Sequence, residues 1–134
     1  MKYIITGSLG LVGLASCKRL LEEDHEVVGI DCNAREEFFG KEGSTNSKLN
    51  TLSSYNNYKH CAADITHKNS IEKIFNEGFD RVIHTAAQPS HDWAANEPLT
   101  DFGINATGTI NMLEVTRLNC PKATFIFTST NKVY

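Results

Sequence analysis

No run of apolar residues approaches the roughly 20 that a membrane span requires, and the chain opens on a strand-like segment rather than on a cleavable leader. Charge of neither sign dominates. Lys and Arg number 13 against 16 Asp and Glu, a formal net charge of −3, which gives no footprint for a nucleic-acid partner and no acidic tail. Cysteine is scarce and irregularly spaced: Cys17, Cys32, Cys61 and Cys120 include no C-x-x-C pair and fit neither a zinc site nor a disulfide framework. Buried reduced thiols in a cytosolic (cytoplasmic) protein without a metal are the expectation. There is no internal repeat beyond a recurring strand–helix unit, no low-complexity segment and no Pro- or Gly-rich linker. At 134 residues the chain reads as one domain, large enough to bury roughly two-thirds of the surface of its unfolded form. Asn105-Ala106-Thr107 matches a glycosylation sequon, but without a secretory signal it is incidental.

What is present is concentrated in residues 1–13. Lys2-Tyr3-Ile4-Ile5-Thr6 reads as a short buried strand, followed at once by Gly7, Gly10 and Gly13, three glycines at equal spacing that open a helix. Gly7 suits the tight turn off the strand. Gly10 lets the backbone approach a pyrophosphate, and Gly13 lets the helix pack close to the sheet. Phosphates would meet the unpaired N–H groups of the first helical turn, around Leu11 and Val12. The dipole alone contributes only about 0.3–1 kcal/mol per charge, so several aimed donors must act together. Glycine turns of this kind also occur between ordinary strands and helices. The added signal is a second strand over residues 26–31 that ends in Asp31, where a carboxylate accepts the ribose hydroxyls of an adenosine. The pair points to NAD.

The remaining chain alternates strand and helix. An amphipathic helix is expected over residues 11–23, with Leu14, Cys17 and Leu21 on one side. Residues 33–56 are polar and read as a surface excursion with at most a short helix near residues 47–52. Cys32, Asn33 and Arg35 follow the ribose acid and are candidates to frame the adenosine, with a solvated loop as the equal alternative. A third strand over 58–62 delivers Asp64 to contact the adenine amino group, or to cap the next helix, and Ile65 to lie on the ring. That helix reaches about residue 77, with Ile71, Ile74 and Phe75 inward. A fourth strand over 80–84 carries His84, read as a packed or hydrogen-bonded core histidine. It opens into Thr85, Ala86, Ala87 and Gln88, small residues fit to approach nicotinamide or its ribose. His91 falls in a loop, where a solvated role outweighs a catalytic one. Pro98 starts another helix, on which Phe102, Ala106, Ile110 and Leu113 share one face while Met112 and Val115 are apolar on other sides. Two apolar faces suggest a subunit contact. A fifth strand covers 123–127. The alternation predicts an α/β fold, a Rossmann-type doubly wound parallel sheet of order 3-2-1-4-5 with its ligand crevice between the first and fourth strands.

These segments together resemble the extended short-chain dehydrogenase/reductase superfamily, specifically its NAD-dependent nucleotide-sugar epimerases and dehydratases. The resemblance rests on Thr6-Gly7-x-x-Gly10-x-x-Gly13, Asp31, Asp64-Ile65, Ala86-Ala87-Gln88, Asn105-Ala106-x-Gly108-Thr109-x-Asn111-Met112-Leu113-Glu114 and Ser129-Thr130-Asn131-Lys132-Val133-Tyr134. It covers essentially the whole chain. Residues 87–95 and 129–134 are most similar to the epimerases that act at C2 of CDP-linked sugars. The resemblance implies an enzyme that oxidises a sugar carbon to a transient ketone and re-reduces it from the other face, in lipopolysaccharide or other cell-surface sugar synthesis. It implies a catalytic role for Thr130 in hydrogen-bonding the reacting hydroxyl and a cofactor contact from Asn105. Gln88, Ser90, His91 and Asn131 are the implied substrate contacts.

Asn131 and Lys132 occupy the places where the related dehydratases carry an acid pair. A carboxamide and an ammonium cannot supply those proton transfers, each of which is worth roughly 10²–10⁴-fold in rate; dehydration is disfavoured. The family's base, a tyrosine in a Tyr-x-x-x-Lys pair, does not follow Thr130 within the sequence. Residues 1–134 are therefore expected to be the NAD-binding part of a longer enzyme, a homodimer or higher oligomer, inactive alone. The alternatives are C4 epimerisation or reduction of another nucleotide sugar, and a non-catalytic NAD-binding module.

Overall fold

The computed structural model describes residues 1–88 and 90–129. Five strands, β1 (Lys2–Thr6), β2 (Glu26–Ile30), β3 (Tyr58–Cys61), β4 (Arg81–His84) and β5 (Thr124–Phe127), form one sheet of order β3-β2-β1-β4-β5. Each adjacent pair is parallel, with Ile4 beside Val28 and Val82 at the centre. A parallel sheet is covered on both faces, so its central strands read as continuous apolar runs. The expected order and fold class are those found.

Two clusters of buried side chains lie on the two faces. On one, Ile4, Val28, Ile30 and Val82 pack against Ile71 and Phe75 of helix α4 (Lys68–Phe75) and Met112 and Val115 of α7 (Gly108–Asn119). On the other, Ile5 and Val27 meet Cys17 and Leu21 of α1 (Leu11–Glu22) and Leu52 of α3 (Asn46–Ser53). Burying each of these side chains contributes about 1.5–3 kcal/mol before the entropy of ordering is subtracted.

The segment 33–56 is more ordered than its composition suggests. Beside α3 it holds α2 (Ala34–Phe39) and a short 3₁₀ turn (Lys41–Gly43). Asn33, in a left-handed conformation at φ 58°, organises it. Its amide nitrogen donates to Glu36 and Ser44, and its carbonyl oxygen accepts from the Thr45 N–H and hydroxyl, both at 2.8 Å. His91 begins a short helix, α5 (His91–Asn96), whose first turn is capped by Ser90 Oγ accepting from the Trp93 N–H at 3.2 Å. The loop placement expected for His91 is corrected accordingly. Cys32 is exposed and Cys61 half-buried, so only Cys17 and Cys120 fit the expectation of buried thiols.

Of the two apolar faces expected on the helix that starts at Pro98, the one with Met112 and Val115 covers the sheet and the one with Phe102, Ile110 and Leu113 is exposed. After α6 (Pro98–Phe102), Gly103–Thr107 winds as a wider π-helical segment that leads into α7. Its extra residue per turn shifts the phase of everything beyond it. Leu99, Phe102 and Ile110 are 86%, 65% and 59% exposed, while Met112 and Val115 face the sheet at 0%. Among the described residues, no helix is long and apolar enough to cross a membrane.

His84 is a buried polar group inside this packing, 1% exposed. Its Nδ1 lies 2.6 Å from Thr6 Oγ1 and its Nε2 3.1 Å from Thr109 Oγ1, as the hydrogen-bonded core reading anticipates. Burial pushes its pKa down to about 4. The unfolded chain protonates this histidine near its ordinary pKa of about 6.5, well before the folded protein does. Its contribution is intact above pH 6.5, declines as the pH falls toward 4, and levels off below that. At about 1.4 kcal/mol per pKa unit, the loss by pH 4.5 is on the order of 2–3 kcal/mol. Urea denaturation at pH 7 and 4.5 should show a larger drop for the unmodified protein than for His84→Gln; equal drops would show that the ring does not titrate with unfolding.

Candidate cofactor site

A cavity of about 410 Å³ opens at the C-terminal ends of β1, β2 and β4, where the strand order reverses. The residues that end these strands and start the next elements line it. One wall is the glycine turn, with Gly7, Gly10, Leu11 and Val12. Gly7 adopts φ 66°, a left-handed turn that glycine makes without strain. The turn closes with the Gly10 N–H donating to the Gly7 carbonyl at 2.9 Å. A Cβ at Gly13 would sit 2.0 Å from the Gly7 oxygen, so this glycine permits α1 to start against the turn. A Cβ at Gly10 would meet only that oxygen, at 3.1 Å, and would otherwise project into the cavity. The helix begins without a side-chain cap, and its first bond runs from the Leu14 N–H to the Gly10 carbonyl at 2.9 Å. The amides of residues 11–13 precede that bond and are the ready donors of a helix N-terminus.

Asp31 lines the same cavity at the end of β2. One carboxylate oxygen accepts from the Leu9 N–H at 3.0 Å and the other from the Asn33 N–H at 2.8 Å. The acid thereby ties the glycine turn to the start of the following excursion. Cys32, Ala34, Arg35 and Phe38 continue this wall, with the Arg35 guanidinium 4.9 Å from the centre of the Phe39 ring. The Phe38 ring packs 4.9 Å from that of Trp93, joining α2 to α5.

Ala63, Asp64 and Ile65 form the third wall. Asp64 Oδ1 accepts from both the N–H and the hydroxyl of Thr66 at 2.8 Å, a local turn rather than a helix cap, since α4 starts at Lys68 after His67. Asn111, on α7, donates its amide to the carbonyls of Ile65 and Thr66 at 3.0 Å each. That positioning role was not anticipated; an asparagine on a helix gives no spacing signal for a loop 45 residues away.

Thr85, Ala86 and Ala87 make the fourth wall, with Ile104 beside them. The Thr85 and Ala86 amides both donate to Thr6 Oγ1 at 3.2 Å, and the Thr85 hydroxyl donates to the Thr6 carbonyl at 2.6 Å. The structure thus gathers Gly7, Gly10, Leu11, Val12, Asp31, Cys32, Arg35, Asp64, Ile65, Thr85, Ala86 and Ala87 around one cavity. It places Gly13, Asn33, Gln88 and Asn105 just behind that lining. Asn105 accepts the Gln88 N–H at 2.9 Å and donates to Asp101 at 2.9 Å. The Gln88 side chain closes on the Ser90 backbone, donating to its carbonyl at 2.9 Å and accepting its N–H. Ser90 and His91 sit at the start of α5, away from the lining. Thr130 and Asn131 lie outside the described residues. Among the described residues, no cluster of His, Cys, Asp and Glu is arranged to hold a metal.

The arrangement fits a dinucleotide: a helix N-terminus free of capping groups, a cradle that a side chain at Gly10 would fill, and a carboxylate one strand away. Two substitutions separate cradle from scaffold. Gly10→Val should leave the circular dichroism and thermal midpoint near those of the parent while reducing NAD binding by at least tenfold. Gly13→Ala, which clashes with main chain, should lower the thermal midpoint. Normal NAD titration by a folded Gly10→Val protein would show that the phosphates lie elsewhere.

The chain aligns over essentially its whole length with several known proteins. It is 32% identical over 135 residues to CDP-paratose 2-epimerase of Salmonella typhi and 31% identical over 135 residues to UDP-glucose 4-epimerase of Pisum sativum. It spans 38% and 37% of their lengths, respectively. Among solved structures, Pal from Bacillus thuringiensis superposes with a TM-score of 0.87 at 29% identity, over all of this chain and 40% of that one. UDP-glucose 4-epimerase of Thermus thermophilus, solved in complex with NAD, superposes with a TM-score of 0.78 at 26% identity, over 97% of this chain and 38% of that one. Residues 3–134 match the NAD dependent epimerase/dehydratase family; the chain belongs to that family, and its cofactor is NAD.

Proposed function

We propose that this chain is the cofactor-binding part of a nucleotide-sugar epimerase acting at C2 of a CDP-linked sugar. The observation that carries the reading is the cavity at the sheet's switch point, walled by Gly10 and Asp31. The likeness of the whole chain to a CDP-paratose 2-epimerase supports the choice of sugar. The Pisum sativum relative, a UDP-glucose 4-epimerase, favours C4 epimerisation of a UDP-sugar as the second reading. The free cysteines suit a reducing cytoplasm, where activated sugars for cell-surface polymers are built.

Bound NAD supplies reversible oxidation of a secondary alcohol to a ketone, with its electrons returned in the second half of the cycle. The chain's own part is to bind, orient and enclose. The amides of residues 11–13 hold the pyrophosphate, Asp31 accepts the adenosine ribose hydroxyls, and Asp64 and Ile65 receive the adenine. Residues 85–87 set the depth of the nicotinamide half. Thr130 hydrogen-bonds the reacting sugar hydroxyl, and Gln88, Ser90, His91 and Asn131 meet the sugar. The remaining length of the relatives supplies the nucleotide grip and the base. The exposed stripe of Leu99, Phe102, Ile110 and Leu113 supports a homodimer or higher oligomer built on α6 and α7.

NAD should bind at least tenfold more tightly than NADP. A 2′-phosphate brings like charge to Asp31 and removes a hydroxyl donor; Arg35 is engaged over Phe39 and offers limited relief. Calorimetric titration with both dinucleotides decides this, and tighter NADP binding would overturn the assignment of Asp31.

Residues 1–134 alone should not turn over sugar. Proton removal must accompany oxidation of the alcohol, and two of the described tyrosines are poorly placed for it: Tyr58 is half-buried with its pKa raised by desolvation, and Tyr55 is engaged with Glu22. The segment and a protein extended to the length of the relatives are each incubated with CDP-paratose and, separately, UDP-glucose, and the products are resolved by NMR. Inversion at C2 of the CDP-sugar by the extended protein only is expected. Inversion at C4 alone would replace the C2 reading, and turnover by the segment would place the base within it.

A further inference from the structure

The wall formed by residues 85–88 is held from both ends by side chains that never reach the cavity. At one end Thr6 Oγ1 receives the Thr85 and Ala86 amides at 3.2 Å. At the other, Asn105 Oδ1 receives the Gln88 amide at 2.9 Å. Between the two stands one buried imidazole, His84, with Nδ1 at 2.6 Å from Thr6 Oγ1 and Nε2 at 3.1 Å from Thr109 Oγ1. The Thr109 hydroxyl in turn bonds the Asn105 carbonyl at 2.6 Å.

Only one set of proton positions satisfies every contact. The Asn105 carbonyl is an acceptor, so the Thr109 hydroxyl must donate to it and accept from His84 Nε2–H. Nε2 therefore carries the ring proton and Nδ1 is bare. Thr6 Oγ1 already accepts two amides, so its own proton goes to Nδ1. The other tautomer would leave the Thr6 hydroxyl proton without a use and set the bare Nε2 against a hydroxyl committed elsewhere. A buried, unsatisfied polar group of this sort is unfavourable enough to select between tautomers. The chain runs in one direction: Ala86 N–H to Thr6 O–H to His84 Nδ1, and His84 Nε2–H to Thr109 O–H to the Asn105 carbonyl.

We propose that His84, fixed as its Nε2–H tautomer, is a positioning residue that couples the two ends of the 85–88 wall and thereby sets the seat of the nicotinamide half of NAD. This rests on the reading that places that half against residues 85–87. His84 touches no cofactor atom on this account. It acts through Thr6 on the Ala86 amide, and through Thr109 on the π-helical segment that bears Asn105. The wide turn at Gly103–Thr107 brings the Asn105 side chain to the Gln88 amide, and the Thr109 hydroxyl holds the carbonyl of the same residue. The deep burial that keeps the ring neutral also keeps the relay intact across ordinary pH.

The test has two independent arms. In the first, long-range ¹⁵N–¹H correlation spectra of the protein in the absence of cofactor, with the imidazole nitrogens labelled, report the His84 tautomer. A single protonated Nε2, unchanged between pH 6 and 8, is expected; a protonated Nδ1 or an averaged pair of nitrogens would overturn the proposal. In the second, Thr109→Val removes the hydroxyl at nearly constant shape from a half-buried site on α7, and Thr109→Ser restores it. Thr109→Val should weaken NAD binding about tenfold while leaving ADP, which lacks the nicotinamide half, within about twofold. Thr109→Ser should return NAD binding to the parent level and keep the Nε2–H signature. Equal losses for NAD and ADP, or no loss for either, would reduce His84 to a packing residue. If the parent protein binds neither NAD nor ADP, the cofactor placement fails, and the tautomer arm still decides whether the relay exists.

Discussion

At the C-terminal ends of β1 and β4, three stretches of main chain come into direct contact. A Cβ on Gly13 would fall 2.0 Å from the Gly7 oxygen, and a Cβ on Gly7 would fall 2.9 Å from both the nitrogen and the Cα of Ala86. The site depends on this contact. It brings the first turn of α1 to the mouth of the crevice, and it sets the 85–88 wall directly beside the glycine turn. Because the contact is backbone to backbone, it cannot relax by a change of rotamer. The polar groups it buries are satisfied locally, with the Thr85 hydroxyl on the Thr6 carbonyl at 2.6 Å and the Gly10 N–H on the Gly7 carbonyl at 2.9 Å. A parallel sheet whose neighbouring strands depart to opposite faces leaves a crevice at this point, and here its edges are pinned from both sides.

The parts of the fold legible from sequence are those whose signal is local and repetitive. Ile4-Ile5, Val27-Val28 and Val82-Ile83 are apolar runs bounded by turn residues, which is how strands covered on both faces read. Helices α1 and α4 show apolar residues at helical spacing and were placed within a few residues. Helix α2 gave no such signal. Among its residues, 34–39, two phenylalanines and an arginine stand out; beside the local contact of Arg35 over Phe39, what holds them is remote: Phe38 against Trp93, and Asn33 reaching forward to Ser44 and Thr45. The wide turn between α6 and α7 was hidden for another reason. Helical spacing was extrapolated through Gly103–Thr107, where the turn is wider than the spacing assumes.

The same distinction runs through the site. Gly7, Gly10, Thr85, Ala86 and Ala87 line the crevice, because their value is the smallness of the side chain, a property visible in the residue itself. Amide side chains were harder to place. Asn33, Gln88, Asn105 and Asn111 each have enough donors and acceptors to satisfy a loop, and each is turned onto nearby or facing backbone. Asparagine competes well for main-chain groups in irregular segments. Residue type alone therefore does not tell a ligand contact from the group that holds the contacting loop. Asn105 illustrates the difference, since it acts on the cavity by fixing the Gln88 amide from one layer behind.

Asp31 joins both kinds of role. Its two oxygens accept the Leu9 and Asn33 amides, so the carboxylate is oriented before any ligand arrives. Each carboxylate oxygen retains further acceptor capacity, because an ionised carboxylate offers about four lone-pair sites. On the proposed reading, a pair of ribose hydroxyls fills that remaining capacity without displacing either backbone donor. The ligand completes a coordination that the fold has half built, and the rotamer entropy of the acid has already been lost on folding. Removing the side chain would then do more than delete two ligand bonds. It would release the Leu9 amide from the glycine turn and the Asn33 amide from the excursion that carries Arg35 and Phe38, so two walls of the crevice would loosen together.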